Sequence, residues 1–200
     1  MSDYQQAPRQ ASVSRRTKET DIQLTLALDG AGDGEIRTGL GFLDHMLGAL
    51  AKHGRFDLDL VCEGDVWIDD HHTCEDCALL LGQAFDQALG NRAGIARFGY
   101  AYAPLDEALA RAVVDFSGRP YANVDLGLTR DLIGEVACEN LVHVFVSLAM
   151  TGRLTLHVDV LRGDNDHHRA EAAFKAVALA LRMACAPTDS DAVPSTKGVL

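Results

Sequence analysis

The apolar positions of this 200-residue chain change period along its length, and each change marks an element. DIQLTLALDG, residues 21–30, alternates Ile22, Leu24, Leu26 and Leu28 with polar neighbours and ends at Asp-Gly, the pattern of a strand entering a turn. GEIRTGL, residues 34–40, is expected to return as its hairpin partner. In GFLDHMLGALAKHG, residues 41–54, the spacing lengthens and places Phe42, Leu43, Met46, Leu47 and Leu50 on one helical stripe, with Gly54 the expected stop. RFDLDLVCEG, residues 55–64, alternates again as a strand. TCEDCALLLGQAFDQALGN, residues 73–91, reads as a helix with Thr73 near its start and Gly90-Asn91 at its end.

The second half repeats the order. YAYAPLDEALARAVVDFSG and PYANVDLGL supply strands and ENLVHVFVSLAMTG a helix; RLTLHVDVLRG is a strand and DHHRAEAAFKAVALALRMAC the final helix. The chain is therefore expected to be α+β, an internal duplication of a ββαβα unit with helices packed on mostly antiparallel sheets. Residues 1–13 are read as a loose leader, 14–98 as the first half-repeat, 99–187 as the second, and 188–200 as a C-terminal tail.

Composition narrows the class. With 48% hydrophobic and 24% charged residues the chain is an ordinary folded protein. The net charge of −11 argues against nucleic acid as the main partner, since phosphate backbones call for a basic face. No apolar run approaches the ~18–20 residues of a membrane span, and the opening MSDYQQAPRQASVSRR lacks the apolar core of a secretory signal. A cytoplasmic location is the default expectation, and the five scattered cysteines suit a reducing compartment. Cys74 and Cys77 form a C-x-x-C without a second pair, and small buried helix residues are the expected reading.

One motif stands apart. Asp-His-His-x-x-Glu occurs at residues 70–75 and again at 166–171, and these two doublets use four of the eight histidines. Composition alone predicts roughly 0.01 chance occurrences of His-His-x-x-Glu in such a chain. Each half also carries an earlier helix histidine: 26 positions separate His45 from His71, and 24 separate His143 from His167. His45, His71, His72, Glu75, His143, His167, His168 and Glu171 thus form a set of eight imidazole and carboxylate donors, suited to Mn, Fe, Zn or Ni. At a helix start the first histidine and the glutamate share a face, while the second histidine turns away by about 100°. A doublet so built can serve two different ions. His157 is read as an ordinary surface or core histidine.

The stretches TGLGFLDHMLGALAKHGRFDL, IDDHHTCED, GIARFGYAYAPLDEALAR, DFSGRPY, LTLHVDVLRGDNDHHRAEAAFKA and VPSTKGVL resemble the imidazoleglycerol-phosphate dehydratase family of histidine biosynthesis, in one register from about residue 15 to the C-terminus. The resemblance implies a ribosomal protein S5 domain 2-like duplication. It implies a lyase that removes water from imidazole glycerol phosphate to give imidazole acetol phosphate, with two manganese ions per active site. It also implies an octahedral homo-oligomer of twenty-four copies built from trimers, with shared sites. Two metals on the two ring nitrogens would hold the imidazole as imidazolate, able to expel the hydroxyl through a diazafulvene-like intermediate whose neighbouring C–H is acidic. In the implied assignment His71, Glu75, His143 and His167 hold one ion, and His45, His72, His168 and Glu171 hold the other. Glu19 matches the acid–base glutamate. Arg97, Arg119, Lys175, Ser195, Thr196 and Lys197 match phosphate- and substrate-binding positions, and His53 faces the substrate. Ala49 departs from the family pattern, where a polar residue such as Gln is common. A dinuclear phosphate-ester hydrolase and a metal store are the rival classes; the second would have no use for the basic set.

Overall fold

Ala11 and Val13 alternate with polar neighbours, and this weak pattern makes β1 (Gln10–Arg16), which pairs antiparallel with β2 (Thr20–Ala27). The computed structural model describes residues 8–200. β2 continues antiparallel onto β4 (Asp57–Gly64), and the two-residue β3 (Ile36–Arg37) lies parallel to β4 at the far edge, giving the order β1-β2-β4-β3.

Two expectations are corrected here. The strand begins at Gln10, inside the stretch read as a leader, whose residues 1–7 lie outside the described residues. GEIRTGL is not the hairpin partner of β2; β1 holds that place, and β3 sits across the sheet. The cause is the loop between them. Asp57 Oδ1 accepts the backbone N–H groups of Ala31 at 2.8 Å, Gly32 at 3.1 Å and Asp33 at 3.0 Å, and Asp59 accepts that of Glu35 at 2.9 Å. These bonds draw the chain past β2 to the side of β4.

The helices follow their stripes. α1 (Gly41–Gly54) buries Phe42, Leu43, Met46, Leu47 and Leu50, and it ends on Arg55, whose φ of 56° is left-handed, one residue beyond the expected stop. α2 (His71–Leu89) carries the first His-His-x-x-Glu. The second half repeats the plan with β5 (Phe98–Leu105), β6 (Ala108–Asp115), β7 (Tyr121–Asp125), a small hairpin β8 (Leu132–Ile133) and β9 (Val136–Ala137), α3 (Cys138–Gly152), β10 (Thr155–Arg162) and α4 (Asp166–Cys185). Its main sheet has the order β5-β6-β10-β7, the same topology as the first. The fold is the expected α+β duplication, with one strand more in the main sheet of each half than ββαβα and the β8–β9 hairpin added in the second.

α2 covers the inner face of the first sheet and α4 that of the second, while α2 meets α3 and α1 meets α4, so the four helices form a layer between two sheets. The α2–α3 approach is close. A Cβ on Gly82 would lie 2.3 Å from Thr151 Oγ1 and 2.4 Å from the Leu148 carbonyl oxygen, so only glycine fits there. Phe145 and Phe174 meet at 4.5 Å between ring centres, joining α3 to α4 in the core.

Candidate active site

Both cross-half helix contacts end in a cluster of donors. His71 opens α2 and Glu75 follows one turn later; α3, packed on α2, brings His143 to them. His143 Nε2 lies 3.0 Å from Glu75 Oε1, and the His71 and His143 rings stack at 5.0 Å. Against α4, α1 does the same for the other half: Glu171 Oε2 lies 3.1 Å from His45 Nε2 and 3.3 Å from His167 Nε2. In each trio the ligand atoms lie within 4.8 Å of one another. Phe42 packs edge-on against the His167 ring, 5.2 Å between centres.

The aspartate that opens each motif braces the helix start. Asp70 accepts the backbone N–H of Ala137, directly before α3, at 2.8 Å. Asp166, itself buried, accepts the N–H and hydroxyl of Thr129 at 2.9 and 3.0 Å and the N–H of Arg130 at 2.7 Å. The repeated Asp therefore anchors loops of the second half beside the ligands.

The second histidine of each doublet turns away from its own trio, as the helical angle predicts. His72 Nδ1 faces Asp65 at 3.1 Å, and His168 Nδ1 faces Glu107 at 2.7 Å. His71 Nδ1 faces Asn140 Oδ1 at 2.9 Å. These three partners were not anticipated; Asn140, one turn before His143, carried the only local signal. Hydrogen bonding to Asp65 raises the His72 pKa, and Glu107 raises that of His168. Reciprocally, His168 and then the Asn165 and Asp164 backbone N–H groups hold Glu107 down to about 2. For Glu171, burial works to raise the pKa, but hydrogen bonds from Lys175 and His45 prevail and bring it to about 2. Lys175 Nζ takes Oε1 at 2.6 Å, which leaves Oε2 for the histidines. His53 is lowered by burial and then by Lys175, which places it beside the same group. Glu19 Oε1 approaches His72 Nε2 to 3.8 Å and is half exposed.

Within a single chain the donors group by proximity. Within one chain His167 joins His45 and Glu171, not His71, Glu75 and His143. His167 and Glu171 are one helical turn apart on α4 and share a face, which brings both to His45. His72 and His168 belong to neither trio.

The basic set also divides. Lys175 and His53 stand at the Glu171 trio. Arg97 instead pairs with Asp115 at 2.7 Å and donates to the Pro194 carbonyl at 2.8 Å. Arg119 is tethered beside Ser117, and the end of the chain closes over Gly118, whose added Cβ would lie 2.6 Å from Leu200 C. Ser195 Oγ accepts the Lys197 N–H at 3.2 Å in a turn that also contains Thr196. Among the described residues no hydrogen bond or ion pair links Arg97, Arg119, Ser195, Thr196 or Lys197 to either trio.

Two imidazole nitrogens and a carboxylate oxygen in each trio form a donor set that fits a divalent first-row ion such as manganese. Sulfur takes no part. Cys74 and Cys77 are buried, as expected, and the Cys74 thiol points to Asp70 Oδ2 at 3.9 Å.

The comparisons with known proteins agree with this geometry. The family model for imidazoleglycerol-phosphate dehydratase matches residues 38–181. A Phytophthora nicotianae protein of that name is 62% identical over 192 residues, covering 96% of this chain, which spans 42% of that relative's length. One from Candida glabrata is 57% identical and covers 95% of this chain and 99% of its own. Crystal structures of imidazoleglycerol-phosphate dehydratase from Staphylococcus aureus and Pyrococcus furiosus superpose with TM-scores of 0.80 and 0.81 at 35% and 40% identity, covering 90% and 94% of this chain and 99% and 100% of theirs. A duplicated fold, paired histidine–glutamate trios and relatives matched along almost the whole sequence together make this chain a member of the imidazoleglycerol-phosphate dehydratase family of hydro-lyases.

Proposed function

We propose that this chain removes water from imidazole glycerol phosphate to give imidazole acetol phosphate in histidine biosynthesis, using two manganese ions per active site. The observation that carries this reading is the pair of trios, His71–Glu75–His143 and His45–His167–Glu171. An imidazole substrate has two ring nitrogens, and a duplicated centre supplies one ion for each. When bound, the metals would act as Lewis acids on those nitrogens and make the ring electron-rich enough to release the hydroxyl from the attached carbon.

The protein's own groups do the rest. Glu19, whose carboxylate carries no hydrogen bond among the described residues, takes the proton from the carbon next to the one losing hydroxyl. Lys175 holds the phosphate end together with His53, beside Glu171. Arg97, Arg119, Ser195, Thr196 and Lys197 complete the anion clamp from the tail side.

Each trio is one ligand short of three histidines and a glutamate, and His72 and His168 point away from their own trios with no hydrogen bond at Nε2 among the described residues. In our reading another copy of the chain supplies each missing histidine, and the tail-side clamp likewise serves a neighbouring copy's site. On this reading the chain assembles in the cytoplasm as an octahedral homo-oligomer of twenty-four copies built from trimers. No helix among the described residues is long and apolar enough to cross a membrane.

A turnover assay tests the function. Protein stripped by chelator and refilled with manganese should convert imidazole glycerol phosphate to the ketone, and its particle size should fall on chelation and return with manganese. Release of free phosphate without ketone would instead identify a hydrolase.

A further inference from the structure

Glu19 and Glu107 occupy the same place in the two halves. Each immediately precedes the first residue of the second strand of its sheet, Thr20 of β2 and Ala108 of β6. The registers confirm the match: Leu24, five after Glu19, pairs with Leu60, and Ala112, five after Glu107, pairs with Val158, both pairs lying at the buried centre of their sheets. Each carboxylate faces the second histidine of the doublet in its own half.

Their settings differ. Glu107 Oε1 accepts the backbone N–H groups of Asp164 at 3.1 Å and Asn165 at 2.9 Å, and Oε2 lies 2.7 Å from His168 Nδ1. A carboxylate so engaged can only accept, so His168 Nδ1 carries the proton and its Nε2 lone pair points outward. Glu19 has none of these bonds. Its backbone N–H is held by Thr17 Oγ1 at 3.0 Å and its carbonyl accepts the Asp65 N–H at 3.0 Å, while its carboxylate stays 3.8 Å from His72 Nε2, on the ring edge opposite to Nδ1. Asp65, fixed by that backbone bond, faces His72 Nδ1 with both oxygens, at 3.2 and 3.1 Å.

We propose that Glu107 and Asp65 are positioning residues of the metal centre, Glu107 for His168 and Asp65 for His72, and that Glu107 is the duplicated counterpart of Glu19 turned from proton transfer to ligand orientation. In the second half one carboxylate at the strand start orients the histidine. In the first half Asp65 does so from the loop before α2, which frees Glu19 for the substrate. The proposal rests on the reading of His72 and His168 as manganese ligands and, for the role of Glu19, on the dehydratase reading; the hydrogen bonds of Glu107 and Asp65 stand on their own.

The test is titration of the metal-free full chain with manganese(II) against a competing chelator, for the wild type and for Glu107→Gln, Asp65→Asn and Glu19→Gln, with turnover of imidazole glycerol phosphate followed as manganese is raised. Glu107→Gln and Asp65→Asn should each weaken one manganese equivalent by about 10- to 100-fold, the usual effect of losing a ligand-orienting partner, and added manganese should restore much of the turnover. Glu19→Gln should bind manganese as the wild type does and lose turnover that no manganese restores. Glu107→Asp, which keeps the charge, should recover part of the affinity, and it replaces Glu107→Gln if that variant fails to fold. Unchanged affinity in Glu107→Gln, or a loss of turnover that manganese cannot rescue, would overturn the proposal. A wild type that binds manganese but forms no ketone would overturn the dehydratase reading and leave the affinity comparison decisive for Glu107 and Asp65.

Discussion

His45 Nε2 stands 3.1 Å from Glu171 Oε2 although 126 positions separate the two residues. Each trio is likewise built from both halves, and the two have no residue in common. Glu171→Gln should therefore remove one manganese per chain and leave the other on His71, Glu75 and His143. Elemental analysis after dialysis would show the halved content, with the affinity at the altered trio down by more than about 100-fold, beyond what loss of a supporting residue produces. Loss of both ions would show that the trios are coupled.

Lys175 and Glu171 form a 2.6 Å ion pair at the edge of this trio. If the ammonium also holds the substrate phosphate, Lys175→Met removes a charge-assisted bond of about 1.5–3 kcal/mol, equivalent to roughly 10- to 150-fold. Steady-state kinetics should show this mainly as a raised KM. A fall confined to kcat would assign Lys175 to the chemistry instead.

Asp57 organises the loop that carries the chain to β3, and the N–H groups of Asp33, then Ala31 and Gly32, lower its pKa from 3.8. A carboxylate whose folded pKa lies below its unfolded value stabilises fully above the unfolded value and loses that contribution as pH falls through the folded one. Asp57→Ala should thus cost about 2 kcal/mol near neutrality, from lost hydrogen bonds. The gap from the wild type should close as pH is lowered through and below 3.8. Denaturant midpoints at several pH values measure it; a gap that persists in acid would mean that the side chain acts by packing.

Gly82 is the contact point of α2 and α3, with the Leu148 carbonyl 2.4 Å from where a Cβ would stand. Gly82→Val should destabilise by about 1–3 kcal/mol through overpacking. By separating the helices it should also weaken manganese at His71, Glu75 and His143 more than at the other trio. Equal weakening of both trios, seen by chelator competition, would deny the helix crossing that role.

The duplication and most helix limits were legible because the apolar stripes of α1 and α2 are long and regular. β1 was not, since only Ala11 and Val13 mark its buried side, and β3 was misplaced because Asp57 captures the preceding loop from a distance no local pattern records. All members of the trios were visible as residue types. Their grouping within one chain follows the one-turn spacing of His167 and Glu171 and the packing of α1 on α4 and α3 on α2. Asp65 and Glu107 were hidden for a different reason. An acidic residue in a turn looks solvated until the fold sets it against a histidine 7 or 61 positions away.

The crossing of ligands between halves bears on how such a chain could have arisen. A single unfused half would hold a histidine–glutamate pair but no complete trio. Two copies of it, placed as the halves are placed here, would form both trios at once, so a lone half would need a partner copy to complete either one. Fusing the copies turned a second-order encounter into an intramolecular one, with an effective concentration on the order of millimolar for a short connection. It also released the two copies from identity. Within one chain the two strand-start carboxylates can differ, and they do: Glu107 is held by His168 and two backbone N–H groups, and Glu19 is not.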